Sequence, residues 1–256
     1  MDLNILLILI FFGFLAAFID SVVGGGGLIS IPALLATGMP PSIALGTNKL
    51  ASSFGSFTST VSFLRSKKVD LNIVGKLFPL SFFGSIIGAL VATKMPPEYL
   101  KPIAIICLSL VLVYTLFKKD WGSISTYKKL DKKKSILFIC AITFIGFYDG
   151  FLGGGTGSFL MFTLLIIGFD FLRAAGNAKF LNFASNLGAL LLFMALGQVN
   201  YLYGLSMGAA MVAGSYAGSQ FAIKYGVSYV RVLFICVTVI LIGKNIVDYV
   251  QNYFYK

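Results

Sequence analysis

The chain has 256 residues, of which 58% are hydrophobic and only 11% charged, with a mean hydropathy of +0.92 and no histidine. An ordinary soluble domain carries roughly 25% charged residues, so this chain lacks the polar surface to cover a water-soluble fold. Its net charge of +11 sits in short basic clusters beside apolar runs, which excludes a soluble nucleic-acid-binding face and indicates a membrane protein.

A crossing helix needs about 20 apolar residues. Ten apolar segments follow one another, at approximately 3–22, 27–38, 42–64, 71–93, 97–117, 135–152, 156–169, 171–196, 200–223 and 227–250. The second and seventh are short and each follows a glycine cluster. Two readings are open for them, short spans or re-entrant half-helices, giving eight to ten crossings. The first segment lacks the basic start of a cleaved signal peptide and runs straight into the first glycine cluster. Cys107, Cys140 and Cys236 lie in apolar runs without metal-ligand or CxxC spacing and read as inert.

The chain is two copies of one unit. The sequence DSVVGGGG at 20–27 recurs as DGFLGGGT at 149–156, and GTNKL at 46–50 recurs as GNAKF at 176–180. The offset is 129 residues for the first motif and 130 for the second, so one residue was gained between them. The expected division is a first membrane repeat at 1–117, a basic cytoplasmic linker at 118–134 and a second membrane repeat at 135–256. The linker holds seven lysines together with Trp121, Gly122, Ser123, Ser125 and Tyr127.

Charge sets orientation. The basic turns at 65–68 and 118–134 belong in the cytoplasm. Counting spans from them puts residues 38–42 and the N-terminus outside, and residues 170–173 and 224–231 inside. The first glycine turn falls inside, the second outside, and the C-terminus outside. The basic turn at 65–68 corresponds roughly to the neutral GQVN at 197–200, as opposite orientation requires. The expected fold is an all-α polytopic membrane protein made of two inverted repeats of about five helical segments each.

Consecutive glycines make a poor helix interior, so the clusters at 24–27 and 153–155 should break or bend the chain at membrane depth. A helix restarting there presents free N–H groups and a partial positive charge. Gly25, Gly26 and Gly27, with Gly154, Gly155 and Thr156, are therefore candidate anion donors, and Ser158 adds a hydroxyl; the alternative is that the glycines only permit close packing. Packing alone is expected of the pairs Gly84/Gly88, Gly204/Gly208 and Gly214/Gly218. The glycines at 150–156 resemble a phosphate loop, but Thr156 stands where lysine is needed, so no nucleotide or other cofactor is expected.

Lys49 and Lys179 lie within spans, where an ammonium costs about 2.5–3.5 kcal/mol unless it faces a cavity or a partner. They are candidates for substrate binding, or for ion pairs with Asp20 or Asp149. Asn48, Ser52, Asn177, Asn182 and Asn186 surround them, with Lys179, Asn182 and Asn186 on one helical face. These side chains suit either oxyanion binding or interhelical hydrogen bonding. Asp20 and Asp149, the acids shared by the motifs, are candidates for coupling to a proton or cation, or for capping a broken helix. Pro32, Pro40 and Pro41 fit a helix start and a turn, and Lys244 and Asp248 form a structural i,i+4 pair.

Together these residues resemble the TauE/SafE sulfite exporter family. The resemblance rests on Asp20, the glycines at 24–27, Pro32, the GMPP at 38–41 and the ALGTNK at 44–49. Its second half is the DGFLGGGTG at 149–157, the AAGNAK at 174–179, Asn182 and the Ser185-Asn186 pair. It covers nearly the whole chain and implies a plasma-membrane permease exporting sulfite, organosulfonates or related sulfur anions. The second copy departs from the first at Pro32 and at Thr47, where Asn177 stands.

The resulting expectation is a secondary transporter, not an enzyme, that carries a small sulfur-containing anion by alternating access between the repeats. Its partners would be that anion, the lipid bilayer and a coupling proton or cation, with no nucleic acid; the oligomeric state is open. A passive anion channel, or a carrier of another small organic anion such as a carboxylate, is the alternative.

Overall fold

In the computed structural model, residues 3–94, 124–128 and 130–254 are described. The apolar segment expected at 97–117 and the linker residues 118–123 lie outside them, as do the side chains of Lys244 and Asp248. The first copy comprises α1 (Leu3–Val23), a nine-residue α2 (Gly27–Leu35), α3 (Pro41–Arg65), a one-turn α4 (Leu71–Val74), a 3-10 turn (Gly75–Leu77) and α5 (Phe78–Ala92). The second comprises α6 (Lys132–Phe151), an eleven-residue α7 (Thr156–Ile166), α8 (Phe171–Ala195) and α9 (Tyr201–Phe254), which breaks at Gly226.

Four helical stretches are long and apolar enough to span a bilayer: Leu3–Val23, Leu71–Ala92, Lys132–Phe151 and Phe171–Ala195. Phe11, Phe83, Ile87, Leu137 and Phe144 turn outward, an arrangement stable only in lipid. α3 is different. It is long but rich in serine and lies mostly buried. Several of its hydroxyls bond within the helix, Ser53 donating to the Lys49 carbonyl, Ser59 to Gly55 and Ser62 to Thr58.

Glycine contacts fix the directions of the helices. Gly13 of α1 meets Met207 and Ala210 of α9, and Gly218 of α9 meets Phe18 further along α1. Gly204 meets Leu50 of α3, whereas Gly55 meets Met211 and Ser215. α1 and α3 thus both run parallel to α9. Two successive full-length helices can share a direction only if the piece between them carries the chain back, so α2 is re-entrant. The second copy repeats this: Gly146 and Gly150 of α6 meet Ser81 and Ser85 of α5, and Gly188 of α8 meets Phe82 and Ser85, so α6 and α8 run parallel to α5 and α7 is re-entrant. At 1.5 Å per residue, α2 and α7 are about 14 and 17 Å long, about half a hydrocarbon core.

The copies are inverted. Along α3 and α8, Gly46 meets Phe193, Lys49 meets Asn186 and Phe63 meets Gly176, so the two equivalent helices are antiparallel. Most equivalences follow an offset of 130, and contacts occur in exchanged pairs. Gly46 abuts the Gln198 carbonyl while Gly176 abuts that of Lys68. Thr47 Oγ1 accepts from Asn200 N at 2.9 Å while Asn177 Oδ1 accepts from Asp70 N at 2.7 Å. The turn carrying Lys67 therefore matches the one carrying Gly197, two residues from the rough match drawn from sequence. Both residues are left-handed, with φ of 55° and 66°.

One end of the bundle is basic. Arg65, Lys67, Lys68, Lys76, Lys128, Lys132, Lys133, Lys134, Arg173 and Lys224 lie there; among the described residues, Lys94 is the lone cation of the other end. The charge pattern assigns that basic end to the cytoplasm; residues 38–42 and the start of α1 lie at the opposite end of the bundle. Asp70, Asp131 and Asp170 are N-caps on the basic face. The described linker residues dock there too: Thr126 N donates to the Gly168 carbonyl at 2.7 Å and Tyr127 stacks on Phe169 at 4.7 Å. Burial, and then the charge of Asp70, raises the phenol of Tyr127 above its usual pKa. The placement of the two glycine turns at opposite membrane faces is corrected: both lie at mid-depth, because the helices after them turn back.

The glycine pairs Gly84/Gly88, Gly204/Gly208 and Gly214/Gly218 all pack against neighbouring helices. A Cβ at Gly84 would lie 2.6 Å from the Thr143 carbonyl, whereas one at Gly75 meets nothing within 4 Å. Gly84→Val should therefore cost about 1–3 kcal/mol of stability through overpacking and lower the unfolding temperature in detergent, with Gly75→Ala changing it little. In a cysteine-free background, Ser66→Cys should react with a membrane-impermeant maleimide only in inside-out vesicles, and Gly197→Cys only in right-side-out vesicles.

Candidate functional site

The two re-entrant turns touch each other. Gly24 packs against Gly157 and Ser158, and a Cβ at Gly27 would lie 2.6 Å from the Gly153 carbonyl. The exchanged contact pairs Gly24 with Gly153 at an offset of 129 and Gly27 with Gly157 at 130. The extra residue of the second copy therefore falls inside its glycine turn, at Gly154 or beside it. Gly24 and Gly153 are left-handed in both copies, with φ of 82° and 79°, a conformation that glycine adopts without cost. Ser158 Oγ donates to the Val23 carbonyl at 3.1 Å, tying α7 to the end of α1.

Around this contact the charges cross between repeats. Lys49 Nζ of the first copy lies 2.9 Å from Asp149 Oδ2 of the second, and Lys179 Nζ of the second lies 2.6 Å from Asp20 Oδ2 of the first. Lys49 also donates to Asn186 Oδ1 at 3.1 Å. Asp20 Oδ1 accepts from Gly26 N at 3.0 Å, so this carboxylate caps the re-entrant helix and pairs with lysine at once. The ion pair and the bond to the start of the re-entrant helix, both considered for Asp20 from sequence, occur together. The Lys49–Asp149 pair is 1% and 2% exposed, whereas Lys179 is 2% and Asp20 23% exposed.

A chamber of about 10 Å³, room for about one water, lies between the turns. Its walls are Asp20 and Asp149, Gly27, Gly153 and Gly157 of the turns, Thr156 of α7, Asn48 and Ser52 of α3, and Asn182 and Asn186 of α8. Asp20 and Asp149 line it, each bonded to its lysine. A second small cavity continues from Asp20 between α1, α3 and α9, past Gly26, Ser56 and Ser215. Lys49 bonds to Asn186, seven residues beyond Lys179 on α8, so the two ion pairs lie roughly 10 Å apart along the bundle axis. The Lys49 pair is nearer the outer face and the Lys179 pair nearer the basic face.

The structure thus brings together Asp20, Asp149, Lys49, Lys179, Asn48, Asn182, Asn186, Gly27 and Thr156. Gly26 serves as the donor to Asp20. Gly25, Gly154 and Gly155 shape the turns without lining the chamber, and the Gly154 carbonyl accepts from Tyr148 Oη at 2.7 Å. Asn177 is placed elsewhere, committed to the backbone of Asp70 near the basic face. Residues that the sequence reading did not place in the site include Gly157, Ser30, which donates to Asn48 Oδ1 at 2.6 Å, and Ser56. Aligning the repeats with the gap inside the glycine run would have matched Gly27 with Gly157. No sequence signal singles out Ser30 among the many serines.

Two inverted repeats, each with a discontinuous helix meeting its twin at mid-depth around intramembrane charges, define a polytopic membrane transporter. A family model described as "Sulfite exporter TauE/SafE" matches residues 9–245, and the chain belongs to that family. It is 38% identical to "Probable membrane transporter protein ORF9" of Sinorhizobium sp., over 92% of this chain and 90% of that protein. It is 36% identical to a "Probable membrane transporter protein" of Haemophilus influenzae over the full length of both. It is also 36% identical to "Probable membrane transporter protein YfcA" of Escherichia coli K12, over 94% and 89% of the two chains. No solved structure matches the chain. The protein is a multi-pass transporter of the cell membrane.

Removing one member of a buried ion pair leaves the other uncompensated, at a cost of about 3–5 kcal/mol. Lys49→Ala should destabilise the protein by that order, and the double variant Lys49→Ala/Asp149→Asn should recover part of the loss. Thermal unfolding of the three variants in detergent completes the double-mutant cycle.

Proposed function

We propose that this protein is a secondary transporter of small sulfur-containing anions such as sulfite or organosulfonates, exporting them by alternating access. The observation that carries the reading is the crossed pairing of Lys49 with Asp149 and Lys179 with Asp20 around a polar chamber between inverted repeats. The chamber offers amide and hydroxyl groups from Asn48, Ser52, Thr156, Asn182 and Asn186. The N-terminus of α7 adds first-turn N–H groups and the positive end of a helix dipole. This is a donor set suited to an oxyanion stripped of water, and the family description supplies the sulfur chemistry.

Alternating access follows from the placement of the pairs. One lies toward each face, and each joins an element of one repeat to an element of the other. Breaking the inner pair opens the chamber toward the cytoplasm; breaking the outer pair opens it outward. With both closed, as here, the chamber is too small for the anion, which favours a carrier over an open channel. Asp20 and Asp149 are the candidates for coupling to a proton or cation.

Lys179→Ala should abolish saturable sulfite efflux from proteoliposomes, and Lys179→Arg should retain part of it. Wild-type flux that does not saturate points to a channel, and flux unchanged in Lys179→Ala removes this lysine from the path. A thermal-shift screen against sulfite, thiosulfate, taurine, sulfoacetate and simple carboxylates then ranks ligands, since a ligand binding only the folded form raises its apparent stability.

A further inference from the structure

We propose that Asp20, and not Asp149, is the proton-accepting group of the cycle: a bound anion takes the ammonium of Lys179 while Asp20 takes a proton. This assignment rests on the transporter reading above.

The chamber wall is the first argument. An anion entering it finds each ammonium already bonded to a carboxylate that lines the wall. No anion can bind there until a carboxylate is displaced or neutralised. A displaced carboxylate that stayed charged would be an unpaired anion beside a second anion in a poorly solvated interior, which is strongly unfavourable. Protonation removes the conflict. The exchange balances: Asp20–COO⁻ paired with Lys179–NH₃⁺, plus an anion and H⁺, gives Asp20–COOH and Lys179–NH₃⁺ paired with the anion. The charge of the interior is unchanged, so anion and proton move together and the step is electroneutral.

The asymmetry of the two pairs selects Asp20. Its side chain is 23% exposed against 2% for Asp149. It forms a wall common to the chamber and to the second cavity, whereas of these two cavities Asp149 borders only the chamber. Lys49 is held additionally by Asn186. The carboxyl is also arranged for the exchange, since Oδ1 keeps the Gly26 N–H while Oδ2 faces Lys179. A proton arriving on Oδ2 therefore leaves the helix cap intact. The groups facing Asp20 are Lys179 of α8, the Gly26 amide, Ser52 and Ser56 of α3, and Met211 and Ser215 of α9, with Asp149 across the chamber. Among these described residues only Lys179 and Asp149 are ionisable. A ligand role for the chamber has its own sign in Thr156, a residue 2% exposed that lines the chamber and whose hydroxyl has no hydrogen-bond partner among the described residues.

The test is calorimetric binding of sulfite to the detergent-solubilised protein at pH 7, in buffers of different ionisation enthalpy, which counts protons exchanged per anion. Wild type should take up about one proton more per sulfite than Asp20→Asn, since the difference cancels the titration of sulfite itself. In Asp149→Asn the proton count should match wild type, whatever the affinity becomes. Equal counts in wild type and Asp20→Asn overturn the assignment, as does loss of the proton in Asp149→Asn alone. A second measurement needs no variant: with saturating sulfite present, dicyclohexylcarbodiimide, which modifies protonated carboxyls in apolar surroundings, should label Asp20 of the wild-type protein in preference to Asp149, read by peptide mass spectrometry, and the labelling should fall when sulfite is omitted. Unlabelled Asp20 in the presence of bound sulfite, or preferential labelling of Asp149, overturns the assignment. Wild-type protein that neither binds nor moves sulfite overturns the substrate reading instead, and the anion that the thermal-shift screen ranks first then takes the place of sulfite in both measurements.

Discussion

A lysine held at mid-depth in a bilayer must find a counter-charge, and each of the two here finds it in the opposite repeat. Lys49 reaches Asp149, and Lys179 reaches Asp20. Much else in the bundle follows from making those two contacts possible. The carboxylates sit on α1 and α6 just before the glycine turns; the lysines sit on α3 and α8. To bring them together the turns must meet back to back, and only glycine at positions 24, 27, 153 and 157 lets the backbones approach so closely. The re-entrant helices then have to retreat from the contact to the face they came from, which lets α3 run parallel to α1.

The copies share this scheme but not every detail. The added residue near Gly154 gives the second turn a different path into its helix: α2 starts from Gly26 with helical φ, α7 from Gly155 with φ of 87°. On α3 the chamber is edged by Asn48 and Ser52; on α8 by Asn182 and Asn186. Ser30 and Asn48 hydrogen-bond to each other, and their counterparts, Leu160 and Ala178, are apolar. One carboxylate is enclosed and the other borders a second cavity. Near-symmetry relates the two halves of the site, and the departures from it give them different chemistry.

Much of this was legible in the residues. The duplicated DSVVGGGG and GTNKL motifs revealed the repeat, and the contrast between the basic turn at 65–68 and the neutral one at 197–200 pointed to opposed copies, because flanking charge is a local property. The lysines, aspartates and most of the asparagines of the chamber stood out as polar groups in apolar spans. The crossing of the pairs was not legible, because a motif shared by both copies cannot say which lysine serves which aspartate. The depth of the glycine turns was lost for a related reason. Hydropathy counts residues and does not reveal reversal, so segments of nine and eleven helical residues read equally well as short spans. Asn177 resembled its neighbours in composition, but its position two residues before Lys179 turns it toward the loop at Asp70.

Lys67 and Gly197 occupy equivalent left-handed positions, yet only one of them is glycine. A lysine there costs roughly 1–2 kcal/mol that glycine would avoid. The exchange makes sense at the level of biogenesis. When the first half enters the bilayer, Asp20 and Lys49 both await partners that the ribosome has yet to make, and the emerging hairpin has little but its flanking cations to stop it inserting the wrong way up. A backbone penalty at residue 67 thus becomes an anchor during synthesis, holding one half in place until the other arrives to complete its circuit of charges.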